Sequence, residues 1–90
     1  MITMPERGPV SDVLAEVGGE VMDAEKMWPP MNSAHEAYAV LLEEVDELKA
    51  HVWMHQRHRD MPGMRKEAIQ VAAMAVRFIR DVCDLHQGRK

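Results

Sequence analysis

Four carboxylates within five residues are the side chains of this sequence best suited to chemistry. They are Glu43, Glu44, Asp46 and Glu47. In a helix, at about 100° per residue, Glu43, Glu44 and Glu47 share one face. Like charges at this spacing repel, and a divalent cation such as Mg²⁺ or Mn²⁺ relieves the repulsion while taking the oxygen ligands that it prefers. The cluster predicts either a metal site or, as charge runs more often indicate, an acidic helix face in water.

A second polar stripe lies on the next predicted helix. Its members recur at helical spacing and are Glu67, Gln70, Met74, Arg77 and Asp81. If this helix packs antiparallel against the acidic one, the stripe faces the acidic cluster and adds one or two oxygen ligands. Basic side chains on the same helix suit phosphate oxygens, because they donate charged hydrogen bonds to them. These are Arg65, Lys66, Arg77 and Arg80, which could equally pair with acids across a subunit boundary or face water.

Two helices are predicted before the polar stripe. The first begins with Ser11 as its N-cap, runs to about Met27 and stops before Pro29, since a residue that precedes proline leaves the helical region. The second begins after Ser33, which forms a capping box with Glu36, and continues to near residue 55. One apolar stripe of the second helix is expected to face the core; it consists of Tyr38, Leu41, Leu42, Val45, Leu48 and Val52.

The third predicted helix follows a turn over residues 60–63, begins near Met64 and ends near His86, where Gly88 stops it. Its apolar arc spans more than half of its circumference and consists of Ala68, Val71, Ala72, Ala75, Ile79 and Val82. One neighbouring helix cannot cover so wide an arc. The fold class predicted is therefore all-α, a three-helix protomer that assembles into an oligomeric helical bundle. At the edge of this arc, Cys83 is expected to be a buried small hydrophobe.

Length and composition exclude several classes of protein. Ninety residues make one small domain, and the net charge of −4 argues against general nucleic-acid binding, which depends on Lys and Arg. The longest apolar run, residues 71–76, is far shorter than the roughly 20 residues of a membrane span. A single cysteine excludes an internal disulfide, and no signal pattern opens the chain, so a cytoplasmic protein is expected. Residues 1–10 are expected to form an irregular arm.

A resemblance to a known family arises from two acidic motifs on successive helices. Glu44-Val45-Asp46-Glu47 and, after 19 intervening residues, Glu67-Ala68-Ile69-Gln70 resemble the Glu-x-x-Glu and Glu-x-x-Asp signature of the MazG-like all-α nucleoside triphosphate pyrophosphatases. The surrounding residues 26–28, 41–48 and 65–78 also resemble that family, particularly its small phage and bacterial members. The similarity covers roughly residues 11–84, within a single helical domain predicted over residues 11–88.

The resemblance implies a helical homodimer or homotetramer that holds Mg²⁺, or Mn²⁺, against a nucleoside triphosphate. Water attacks between the α and β phosphorus atoms and releases a nucleoside monophosphate and pyrophosphate, a reaction that removes unwanted nucleotides from the pool. By position, Glu44, Glu47 and Glu67 would be metal ligands, and Glu43 would assist or act as the base. Gln70 stands where the family has Asp; its carbonyl can ligate a cation but brings no charge.

The sequence leaves two functions open. The first is a Mg²⁺-dependent nucleoside triphosphate pyrophosphohydrolase, with Arg65, Lys66 and Arg77 near phosphate and Trp28 stacked on a nucleobase. Trp28 could instead plug a helix end against the core. The second is a catalytically impaired or non-enzymatic helical bundle whose acidic face binds a partner or nothing. Neither reading involves nucleic acid or a membrane.

Overall fold

Three helices form the part of the chain that the computed structural model describes, residues 8–85. They are α1, Pro9–Met27; α2, Ala34–Val52; and α3, Met61–Phe78, which continues as a π-helical segment, Ile79–Asp84. A short 3₁₀ turn, Gln56–His58, lies between α2 and α3, and residues 8–85 contain no strand. The all-α prediction is confirmed. None of the described helices combines the length and the apolar character that crossing a membrane requires.

Helix α1 begins earlier than the sequence predicts. Gly8 is its N-cap and Pro9 its first residue, where a missing backbone N–H leaves nothing unpaired. The Gly8 N–H donates to Ser11 Oγ over 2.8 Å, so Ser11 caps the helix from inside its first turn. The prediction of an irregular arm is therefore wrong for residues 9 and 10, and residues 1–7 lie outside the described residues. The end of α1 at Met27 confirms the prediction.

The predicted start of α2 is confirmed, and that of α3 is corrected. Ser33 Oγ accepts a hydrogen bond from the Glu36 N–H over 3.1 Å, although the Glu36 carboxylate accepts from Asn32 rather than from Ser33. Residues 61–63, predicted as part of a turn, form the first turn of α3, because Asp60 caps it by accepting a hydrogen bond from the Gly63 N–H over 3.1 Å. The predicted stop at Gly88 lies outside the described residues.

Helix α3 lies between the other two helices and packs against both. It runs antiparallel to α2, because Met31 before α2 meets Asp81 after α3 while Glu47 meets Glu67, and it runs parallel to α1. The parallel course follows from two ion pairs, Arg65 with Glu16 near the start of both helices and Arg80 with Glu25 near the end. The core between the helices consists of Val17, Val21, Met31, Ala37, Ile69, Ala73 and Met74.

The most buried side of α3 is the polar stripe rather than the apolar arc. Arg77 is 4% exposed and Asp81 8%, whereas Ile79 of the arc is 52% exposed. Two helices, α1 and α2, flank α3. The side of α3 that becomes buried is therefore the side that contacts them, whatever the position of its apolar arc. The expectation that Cys83 is buried is wrong: its side chain is exposed. The wider π-helical turns that begin at residue 79 shift the helical phase of the residues that follow.

Candidate metal centre

Three carboxylates from two helices converge at the α2–α3 interface. Glu44 and Glu47, one turn apart on α2, meet Glu67 near the start of α3, and one oxygen from each lies within 4.8 Å of the others. The convergence arises because antiparallel packing brings the last turns of α2 beside the first turns of α3. We call these residues the carboxylate triad. Its members are the three metal ligands that the family resemblance implies.

The spacing of the triad suits a small divalent cation. Octahedral Mg²⁺ holds oxygens at about 2.1 Å, so neighbouring ligand oxygens lie about 3 Å apart and opposite ones about 4.2 Å apart. The triad oxygens, within 4.8 Å of one another, reach that spacing by small rotations of their side chains. Carboxylate oxygens with no sulfur or imidazole partner favour Mg²⁺ or Mn²⁺ over Zn²⁺ or Cu²⁺.

Electrostatic strain within the triad is concentrated on Glu44. The pKa of this half-buried side chain is raised to about 7. Burial is the largest cause, followed by a hydrogen bond to Glu47 and by the negative charges of Glu47, Glu67 and Glu43. At neutral pH, the Glu44 carboxyl therefore keeps a proton for a large fraction of the time. A cation that binds here displaces that proton.

A groove of about 590 Å³ extends from Glu44 between α1 and α2, over α3. One part of its wall is apolar and includes Met27, Met31 and Val40; Trp28, at 61% exposure, also lines it. The expectation that Trp28 plugs a helix end against the core is therefore wrong. The exposed ring lies where a flat ligand can reach it.

Acidic side chains from α1 also line the groove, and sequence reasoning missed them. Glu20 and Asp23 face Glu43 and Glu44 across it. Each directly precedes a core-packed residue of α1, Val21 or Ala24, and so lies beside the apolar stripe. That position next to a buried stripe is the one sequence signal that would have indicated them.

Gln70, the residue that departs from the family pattern, is bound to α1. Its Nε2 donates to Glu20 Oε2 over 2.7 Å at a partly buried position. The Gln70 side chain is thus held by a carboxylate of α1, one turn along α3 from Glu67. A ligand role for its carbonyl oxygen stays a prediction.

Two of the predicted phosphate-contacting arginines are paired within the chain rather than across a subunit boundary. Arg65 forms a two-pronged ion pair with Glu16, in which Nη1 donates to Oε1 over 2.8 Å, and the hydrogen bond from Arg65 lowers the pKa of the Glu16 carboxyl. Arg80 pairs with Glu25. Lys66 is exposed and lines a shallow pocket with Glu16, Glu20 and Asp23 of α1, so its place near phosphate stays a prediction.

Arg77 and Asp81 form a buried clamp on the segment that joins α1 to α2. Arg77 Nη2 donates to the Pro29 carbonyl over 2.8 Å and lies 3.8 Å from Asp81 Oδ2, which accepts from the Met31 N–H over 3.1 Å. These bonds fix the chain on either side of Pro30. They also fix the wall of the groove that Trp28 and Met31 provide.

No family model, no curated protein and no solved structure matches this chain. The resemblance to the MazG-like family accordingly rests on the two acidic motifs and the residues around them. It remains a prediction, to which the structure adds the geometry of the carboxylate triad.

Proposed function

We propose that this protein is a Mg²⁺-dependent nucleoside triphosphate pyrophosphohydrolase, which converts a nucleoside triphosphate to a nucleoside monophosphate and pyrophosphate. The observation that carries the proposal is the convergence of the triad oxygens within 4.8 Å. Glu44 of the triad also lines a groove large enough for a nucleoside. Mn²⁺ would serve in place of Mg²⁺, because both prefer oxygen ligands.

The side chains of the site would have different roles in the reaction. Glu44, Glu47 and Glu67 would hold the cation, which when bound neutralises phosphate charge and lowers the pKa of a nearby water. Glu43 is exposed and lines the groove beside Glu44, where it can accept a proton from the attacking water. Lys66 would donate to the outer phosphate oxygens.

A second copy of the chain is part of the proposal. Apolar side chains of α2 and α3 lie exposed, among them Tyr38 at 59%, Leu42 at 40%, Val45 at 39% and Ile79 at 52%. Together they give these two helices an uncovered apolar surface, of the kind that marks an interface. A homodimer or homotetramer that packs α2 and α3 against their copies would cover it. Sedimentation velocity tests this, since Val45→Asp should lower the assembly state.

A non-catalytic bundle is the second candidate, and Gln70 is the observation that favours it. The amide brings no charge where the family has a carboxylate, and it is bound to Glu20. Against this, the same hydrogen bond brings the negative charge of Glu20 close to position 70. Part of the missing charge is therefore supplied from α1.

Pyrophosphate release from a panel of ordinary, deoxy and oxidised nucleoside triphosphates, with Mg²⁺ or Mn²⁺, tests the proposal. Glu47→Gln and Glu67→Gln should each reduce the rate by more than about 100-fold, because even outer-shell partners of a metal contribute 10–100-fold. Both variants should stay folded, since each removes like-charge repulsion. Asp46→Asn is the matched control: Asp46 is exposed on the same helix and lies outside the triad, so its rate should not change.

Two results would reject the proposal in favour of the non-catalytic bundle. One is the absence of pyrophosphate release from every nucleotide in the panel. The other is a melting temperature that neither cation raises. If Asp46→Asn slowed the reaction as much as Glu47→Gln, the triad would not be the site.

A further inference from the structure

Arg77 is a buried cation whose hydrogen-bonding capacity is mostly unused. A guanidinium has five N–H groups, and only the bond from Nη2 to the Pro29 carbonyl is formed with residues 8–85. Nε is fully buried without a partner in that part of the chain, and Asp81 at 3.8 Å is too distant for a hydrogen bond. Because Nε has no surface that a ligand could reach, the donors left for a ligand acceptor are the remaining N–H groups of Nη1 and Nη2.

The groove provides the place for that acceptor. Arg77 lines it together with Glu20, Asp23, Glu36 and Glu43, and among its described lining residues Arg77 is the one cation. A ligand in this groove therefore meets one donor-rich group and several acceptor-only carboxylates. It must offer an acceptor to the first and donors to the others.

Arg77 is too far from the triad to contact the phosphates. Ten residues of α3 separate it from Glu67, a rise of about 15 Å at 1.5 Å per residue. Its guanidinium also lies beside Asp81, one turn further from the triad. If the triad holds the triphosphate, as the proposed function states, the group that reaches Arg77 along the groove is the base.

We infer that Arg77 determines base specificity, by donating to a carbonyl oxygen of a nucleobase that also carries an exocyclic amino group, as guanine and cytosine do. Carboxylates of the groove accept hydrogen bonds from the amino group. Adenine has no carbonyl, and thymine has no amino group. This inference rests on the proposed function for the direction in which the nucleotide lies, and it adds the class of base.

Binding of deoxynucleoside monophosphates to the unmodified protein tests the base preference without hydrolysis. Calorimetry with Mg²⁺ present should show dGMP and dCMP binding at least about tenfold more tightly than dAMP and dTMP, the effect of one charged hydrogen bond. Equal affinity for all four, or preference for dAMP, would overturn the inference.

Hydrolysis rates separate this inference from the proposed function. Triphosphates hydrolysed without regard to base would reject the role of Arg77 and leave the pyrophosphatase intact. Selective binding of dGMP and dCMP with no hydrolysis of any triphosphate would reject the pyrophosphatase and leave base recognition intact. Two purine analogues separate the carbonyl from the amino group: dITP keeps the carbonyl, and 2-aminopurine deoxyriboside triphosphate lacks it. The hydrolysis rate of dITP should be the higher of the two. The reverse order of rates would overturn the inference.

Arg77→Lys tests the residue itself, since Lys keeps the buried charge beside Asp81 but loses the planar fork. It should reduce the preference for dGMP over dAMP by about tenfold while circular dichroism shows the same helix content. Arg80→Lys, three residues along the same helix on an exposed ion pair, is the matched control and should leave the preference unchanged. A folded Arg77→Lys protein with the original preference would overturn the inference.

Discussion

Gln70 on α3 donates a hydrogen bond to Glu20 on α1 over 2.7 Å, next to the carboxylate triad. This bond joins residues 50 positions apart and ties α1 to the candidate metal centre. Under the proposed function, it would account for a neutral side chain at the position where the MazG-like signature has a carboxylate. Gln70 does not add a charge to the site but holds one nearby.

Gln70→Asp should strengthen Mg²⁺ binding and weaken the metal-free fold. The new carboxylate adds one negative charge near the triad, and it loses the hydrogen bond to Glu20 and repels it, at a cost of about 1 kcal/mol. Titration with Mn²⁺ and urea unfolding measure the two effects. Gln70→Ala is the control, because it loses the bond without adding charge. Equal Mn²⁺ affinity for the Asp and Ala variants would contradict this account.

Metal-free stability should fall as pH rises from about 4.5 to neutrality. The pKa of Glu44 is raised to about 7 in the folded chain, so the folded state binds more protons than the unfolded state between pH 4.5 and 7. The corresponding stability is fully present below pH 4.5, falls between pH 4.5 and 7, and is gone above pH 7. Since solvent screens a half-exposed carboxylate, we expect a loss of about 1 kcal/mol by pH 8.

Glu44→Gln should remove most of this pH dependence. At pH 8 and without metal, the variant should be more stable than the parent protein. Urea unfolding at pH 5 and pH 8, in chelator and at one protein concentration, measures it. Asp46→Asn serves as the control and should keep the slope of the parent protein. If the stability of the parent protein rose between pH 5 and 8, the raised pKa of Glu44 would be contradicted.

Mg²⁺ should raise the melting temperature more at pH 8 than at pH 6. Below pH 7 the cation must displace the proton of Glu44, so its apparent affinity should change by up to about tenfold per pH unit, as one released proton requires. Thermal unfolding with and without Mg²⁺ measures this at each pH. An Mg²⁺ effect that is the same at both values would show that the cation binds elsewhere.

Asp81→Asn should destabilise the protein far more than Glu25→Gln. Both changes turn a carboxylate into an amide beside an arginine of the third helix, but Arg77 is 4% exposed and the pair of Arg80 with Glu25 lies in water. A buried guanidinium without its counter-charge costs about 3 kcal/mol or more, against at most about 1 kcal/mol for an exposed pair. Urea unfolding midpoints compare the two variants; similar losses would contradict the clamp on residues 29–31.

Sequence patterns predict most helix ends and the members of the triad. Ser33 as a cap and the stop after Met27 depend on bonds and steric contacts within one turn of the chain, so local patterns predict them. The sequence predicts a turn over residues 60–63, whereas α3 begins at Met61 because Asp60 is its N-cap. Glu44 and Glu47 share a face through helical spacing, and the resemblance to a known signature added Glu67.

The tertiary structure alone decided which polar groups meet. Helical periodicity places Arg77 and Asp81 on one stripe, but it does not say that this stripe is buried or that it holds residues 29–31. It likewise gives no sign that Gln70 binds Glu20. Such pairs depend on how α1 and α2 cross α3, and that geometry is set by packing between residues about 50 positions apart. A hydrogen bond within a turn is determined by its neighbours in sequence, whereas one between helices exists only once the helices have packed.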